Sequence, residues 1–151
     1  MAVACFQSPV GLLSITEENG EIVQLNWGGS AVGASPVLDA AVDQLSAYFA
    51  GDREDFDLPL RVKGSDFQRA VCDEMLKIPF GDTVTYGDIA KTLGVSAQPV
   101  GGACGGNPIP IIIPCHRVMG AGGKLTGFSG AGGVETKVTL LRHEGAAGLL
   151  I

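Results

Sequence analysis

The run Pro108-Ile109-Pro110-Ile111-Ile112-Ile113-Pro114 restricts this chain more than any other feature. It is the most apolar stretch present, so it belongs in a core. It is far too short to cross a bilayer, and its prolines withhold N–H groups that a regular helix or an inner strand needs. The segment delivers Cys115-His116-Arg117 directly out of an apolar surrounding. A thiol reacts as the thiolate, so a nucleophilic cysteine needs a nearby cation, base or helix N-terminus. His116 and Arg117 are the candidate partners by sequence. Neighbours on a regular strand diverge, so contact between Cys115 and His116 demands a turn, a helix start or a bridging water.

A chain of 151 residues, 46% of them apolar, can bury a core as one medium domain or two small ones. Met1 to Val10 has no basic region ahead of its short apolar run, so no secretory signal is expected and the protein reads as soluble and cytoplasmic. Cys5, Cys72, Cys104 and Cys115 show no C-x-x-C spacing, and the two histidines, His116 and His143, fit no zinc motif. Reduced thiols and no metal site follow. Cys5 and Cys104 read as bystanders, Cys104 being exposed to accidental modification. The net charge of −6 argues against nucleic acid, but it is unevenly placed: residues 1–57 carry −8 and residues 58–151 carry +2. Only the second part can approach phosphate without strong repulsion.

Val3 to Phe6, Gly11 to Thr16 and Glu21 to Trp27 read as short strands, the last two joined at Asn19-Gly20 in a hairpin. From Pro36 to Ala50 the residues Leu38, Ala41, Leu45, Tyr48 and Phe49 share one helical face, with Gly51 as a stop. Asp52 to Asp57 is an acidic connector and Leu58 to Gly64 a linker. Ser65 and Gln68 suggest a capping box for a helix to about Ile78, with Phe67, Val71, Met75 and Leu76 on its buried stripe. Helices over about 86–93 and 97–105, broken at Gly94, have helix-turn-helix spacing. Val100-Gly101-Gly102-Ala103 in the second helix is nearly bare of side chains, which suits either close helix packing or close approach to a ligand. The fold class is α+β: a small sheet-plus-helix domain over 1–60, then a mainly helical domain over 65–151.

Pro114-Cys115-His116-Arg117-Val118 resembles the active-site motif of the O6-alkylguanine-DNA alkyltransferases, the methylated-DNA–protein-cysteine methyltransferases. So do Phe80 to Tyr86, Val100 to Ala103, Gly106-Asn107-Pro108, Gly127-Phe128-Ser129-Gly130 and His143-Glu144-Gly145, in order, across roughly residues 65–145. The resemblance implies a ribonuclease-H-like first domain and a winged-helix-like second domain. It implies single-use repair in which the alkyl group on O6 of guanine, with O4 of thymine as a further candidate, passes to Cys115 after the nucleotide flips out. In that scheme His116 is the base through a water, Glu144 orients His116, and Tyr86 supplies a proton or hydrogen bond to the leaving base. Gln98, Gly101, Gly102 and Ala103 would face the minor groove of double-stranded DNA, Val118 and Ser129 the guanine, and Asn107 would shape the turn before Cys115. Arg117 would be structural. No metal or cofactor is implied, and a monomer is expected.

The pattern is broken at Gln98, where the family has an arginine, and at Gly105, where a base is common; nothing from Gly94 to Pro114 is charged. Phosphate contacts are then expected from backbone N–H groups and from Lys91, Arg117 or Lys124, with weak salt dependence. Three rivals share some of these features. A non-transferring lesion sensor would lack the cysteine, a cysteine hydrolase would need an oxyanion-donor motif, and a winged-helix regulator would need base-reading side chains on its second helix.

Overall fold

A computed structural model of the chain describes residues 1–125 and 133–146, in two compact units, Met1–Lys63 and Gly64–Ile151.

In the first unit, β1 (Ala2–Ser8), β2 (Gly11–Glu18) and β3 (Glu21–Trp27) form an antiparallel sheet in the order β1-β2-β3. Asn19 (φ 53°) and Gly20 (φ 81°) are both left-handed, as a two-residue hairpin turn requires to match strand twist. Helix α1 (Pro36–Phe49) starts where the Ser35 side chain accepts from Leu38 N and Pro36 needs no partner. It buries Leu38, Ala41, Leu45 and Tyr48, and the sheet buries Leu13, Ile15, Ile22, Val23 and Leu25. The expected linker is not free chain at its start. Ile22 N donates to Pro59 O and Arg61 N to Ile22 O, while Arg61 pairs with Glu18 and Glu21 and Lys63 with Glu18. The open edge of β3 and its acidic end attract this segment, since an uncovered edge leaves backbone groups unpaired.

The second unit holds α2 (Asp66–Leu76), α3 (Tyr86–Leu93), α4 (Ala97–Gly105) and α5 (Val134–His143), with β4 (Val84–Thr85) and β5 (Val118–Met119) paired in parallel. Ser65 caps α2 as expected, but the return arm is absent: Gln68 Nε2 donates instead to Ala103 O at 2.8 Å, tying α2 to α4. The reciprocal capping box lies at Thr85 and Asp88, which start α3. Leu76, expected on the buried stripe of α2, is 46% exposed, because it sits at the last turn beyond Val71, Cys72 and Met75. Gly94 closes α3 at φ 70°, and α4 follows after a short turn. Among the described residues no helix is long and apolar enough to cross a membrane.

Candidate active site

Helix α4 turns Val100, Ala103 and Cys104 inward, leaving Gln98 exposed and Gly101 and Gly102 on the outer side. A Cβ added at Gly101 or Gly102 would meet no atom within 4 Å among the described residues. Close helix packing therefore does not explain these glycines. Ala103, expected beside them, is only 7% exposed, since a 100° step per residue carries it round to the α2 side. Gln98 and Gly101 line a cavity of about 470 Å³ with Thr85, Tyr86, Gly87, Ala97 and Ala121.

The isoleucine-proline segment is buried and irregular. Ile111 has φ 73°, a left-handed conformation that costs a β-branched residue about 1–3 kcal/mol. Its surroundings hold it there: Ile113 N donates to Ile109 O, and buried Asn107 accepts from Ile109 N while donating to Ile113 O at 2.8 Å. Asn107 thus shapes the bend that ends in a tight 3₁₀ turn over Cys115–Arg117. The demand for a turn at Cys115-His116 is met.

Cys115 is 8% exposed, and burial pushes its thiol up to about 11. A hydrogen bond from the Asn107 side chain and the charge of Lys137 oppose that rise. These are not the partners the sequence suggested. Arg117 is committed elsewhere: its Nε and Nη2 donate to Glu144 at 2.8 and 2.9 Å, and its Nη1 to Ile78 O at 2.6 Å. Its guanidinium also lies 5.9 Å from the centre of the Phe80 ring. Buried in this way, Arg117 is not a phosphate contact; Lys91 and Lys124 are exposed.

His116 is completely buried, with Nε2 2.7 Å from Glu144 Oε2. Its Nδ1 has no hydrogen-bond partner among the described residues. Burial lowers the His116 pKa, against the opposing hydrogen bond and charge of Glu144, so the ring is held neutral. Glu144 caps α5 and is buried, while His143 next to it is half-buried with its ring edge-on to Phe80. Tyr86 is half-buried at the start of α3.

Sequence reasoning passed over Lys137. It is fully buried in α5; its Nζ donates to Val118 O at 2.5 Å and lies 5.9 Å from the centre of the Tyr86 ring. A signal was available, because Lys137 precedes Leu140 and Leu141 by three and four residues and so falls on the apolar stripe of α5. Val118 is engaged on both sides, its N–H donating to Cys115 O and its C=O accepting Lys137. Cys104, expected to be open to modification, is 3% exposed with its thiol pushed by burial to about 12. Ser129 and its motif lie outside the described residues. Among the described residues no cluster of His, Cys, Asp and Glu could hold a metal ion.

Fold and site together define a class: a helix-turn-helix unit built around a buried thiol and an imidazole–carboxylate–guanidinium cluster, preceded by a small sheet-and-helix unit. Residues 1–62 match the ribonuclease-like domain, and residues 66–146 the DNA binding domain, of 6-O-methylguanine DNA methyltransferase. The methylated-DNA–protein-cysteine methyltransferase of Mycolicibacterium paratuberculosis is 44% identical over 91% of this chain and 88% of its own length. The crystal structure of Mycobacterium tuberculosis O6-methylguanine methyltransferase superposes with a TM-score of 0.85 at 40% identity, covering 96% of this chain and 93% of that one. A Mycobacterium tuberculosis relative crystallised in complex with DNA gives 0.83 at 42%, covering 93% and 91%. This chain belongs to the 6-O-methylguanine DNA methyltransferase family.

Proposed function

We infer that this protein repairs DNA by direct transfer of an alkyl group from O6 of guanine, with O4 of thymine as a further target, to Cys115. The observation that carries the reading is the buried His116 ring, next to Cys115 in the same tight turn, held on Glu144 through Nε2 with Nδ1 unpartnered among the described residues. With Nε2 engaged, Nδ1 is the nitrogen available to take the Cys115 proton, directly or through one water. The sulfur then forms a bond to the alkyl carbon, the carbon–O6 bond breaks, and its electron pair leaves with the purine. Tyr86 supplies a proton or hydrogen bond to that leaving group, and Lys137 beside its ring favours the donation. The product is a thioether without a leaving path, so each molecule acts once.

The thiol held near 11 suits such a device, because a neutral sulfur is protected from stray electrophiles until a base and a substrate are both in place. The second unit is the DNA-binding and alkyl-transfer domain and the first, over residues 1–60, a separate α/β domain. The outward glycines of α4 support contact with the minor groove of double-stranded DNA, where bare backbone approaches closely while the target nucleotide flips out. Gln98 reaches toward the orphaned partner base. The Val118 backbone and Ser129 are assigned to the O6 region of the guanine. The protein works as a cytoplasmic monomer without a cofactor.

Mixing the protein with DNA containing O6-methylguanine is expected to add one methyl mass to the peptide bearing Cys115, and none in Cys115→Ser. Repaired DNA beside unmodified Cys115 would overturn the reading, and turnover beyond one lesion per molecule would point to hydrolysis.

A further inference from the structure

Resting on that reading, we propose that Arg117 is a positioning residue that decides which nitrogen of His116 serves as the base. Glu144 receives two hydrogen bonds from the guanidinium of Arg117, one on each carboxylate oxygen, and His116 Nε2 shares Oε2 with one of them. All three side chains are withdrawn from water, with exposures of 0% for His116 and Glu144 and 8% for Arg117. A guanidinium cannot lose its proton in a protein, so its partner stays a carboxylate. An ionised carboxylate only accepts, which obliges His116 Nε2 to carry the hydrogen and leaves the lone pair on Nδ1.

Without the Arg117 charge, burial disfavours the lone carboxylate and two arrangements replace it. Either Glu144 holds the proton and donates it to Nε2, or the ring takes it and becomes an imidazolium beside the carboxylate. Both put a proton on Nδ1, and both remove the acceptor that Cys115 needs. The charged groups that act on the ring are Glu144 at the end of α5, which favours its protonation, and Arg117 in its own turn and Lys137 within α5, which oppose it. Arg117 is the one bonded to the carboxylate that fixes the tautomer.

Nitrogen NMR of the full-length protein reads this directly, since the chain has only two histidines and His143→Gln assigns them. In the wild type near neutral pH, His116 is expected to be neutral with hydrogen on Nε2. In Arg117→Met, hydrogen is expected on Nδ1, with single-turnover transfer at neutral pH reduced roughly tenfold or more and the acid limb of the rate profile moved to higher pH. Arg117→Lys keeps a charge but not the two-pronged contact, and is expected to keep the Nε2 hydrogen and restore part of the rate. The proposal is overturned by a wild-type ring carrying hydrogen on Nδ1. It is equally overturned by an Arg117→Met protein that keeps the neutral Nε2–H ring and an unmoved rate profile. If Arg117→Met does not fold, Arg117→Gln takes its place, a neutral Nε2–H ring with an unmoved rate profile there being the contrary result. Expected spectra from a wild type that methylates no cysteine would sink the repair reading while leaving the tautomer assignment standing.

Discussion

Helix α4 and the cluster around Glu144 belong to one unit and treat charge in opposite ways. The outer side of α4 is open and carries no charged residue, a Cβ at Gly101 or Gly102 meeting nothing within 4 Å beyond its own helix among the described residues. The cluster takes Arg117, Glu144 and His116 out of water, with Lys137 buried nearby. Withdrawing a charge into the interior costs several kcal/mol per ion, so such groups persist only where partners hold them closely. Preorganised charge is useful where bonds change, because it needs no rearrangement as charge develops. A surface that must lie against a duplex gains instead from having little to push aside. Under the proposed function, binding and chemistry are built here from opposite materials.

Glu144→Ala puts the greatest strain on this contrast. Arg117 would be left buried without its carboxylate, and a destabilisation of about 3–5 kcal/mol is expected in denaturant melts. A loss under about 1 kcal/mol would mean that the cluster is not held as tightly as its distances imply. Gly102→Gln probes the other side. It is expected to leave stability unchanged or raise it by up to about 1 kcal/mol through helix propensity, while weakening binding to duplex DNA roughly tenfold. Equal affinity for both proteins, measured by anisotropy, would remove α4 from the interface.

Acid and base separate the cluster further. Burial lowers the His116 pKa in the fold, so its stabilising contribution is complete above the unfolded value of 6.5 and is lost as pH falls through the folded one. The melting temperature is expected to fall on acidification from pH 7 toward 5. The raised Cys115 thiol has the opposite sense: its contribution is complete below the unfolded value of 9.0 and declines as pH rises toward about 11. Alkylation of Cys115 by iodoacetamide without DNA should therefore keep accelerating past pH 9, and Lys137→Met should move the curve higher still. The smallest effect concerns salt. DNA affinity is expected to fall only gently with ionic strength, because few counterions are released, and Gln98→Arg should steepen the logarithmic slope by about one unit while speeding transfer from duplex lesions. A steep wild-type slope would show that phosphate is met by charges away from α4.

Several elements were legible because neighbouring residues decide them. Asn19-Gly20 both accept left-handed backbone, Pro36 tolerates a first turn, and Gly94 ends α3, so hairpin, α1 and the break before α4 could be read in order. Cys115, His116 and Glu144 were legible through the motifs that carry them. The structural role expected of Arg117 agrees with its pairing, but its particular partners were not legible, since Ile78, Phe80 and Glu144 lie far along the chain and converge only after folding. The return arm of Gln68 failed for a similar reason: the side chain turns away to donate through Nε2 to the Ala103 carbonyl and does not accept the Ser65 N–H at its own helix start.

By itself the sequence determined the order of the first three strands and of α1 to α4, the absence of charge from Gly94 to Pro114, and the delivery of Cys115 from an apolar run, since local backbone preferences and residue identities suffice for these. Tertiary structure alone decided that Ala103 faces inward, that Lys137 is buried against Val118, and that the charge beside Cys115 comes from Lys137 rather than Arg117. The strength of a charge depends on its distance to a partner and on the water removed around both, and neither quantity exists until distant segments pack together.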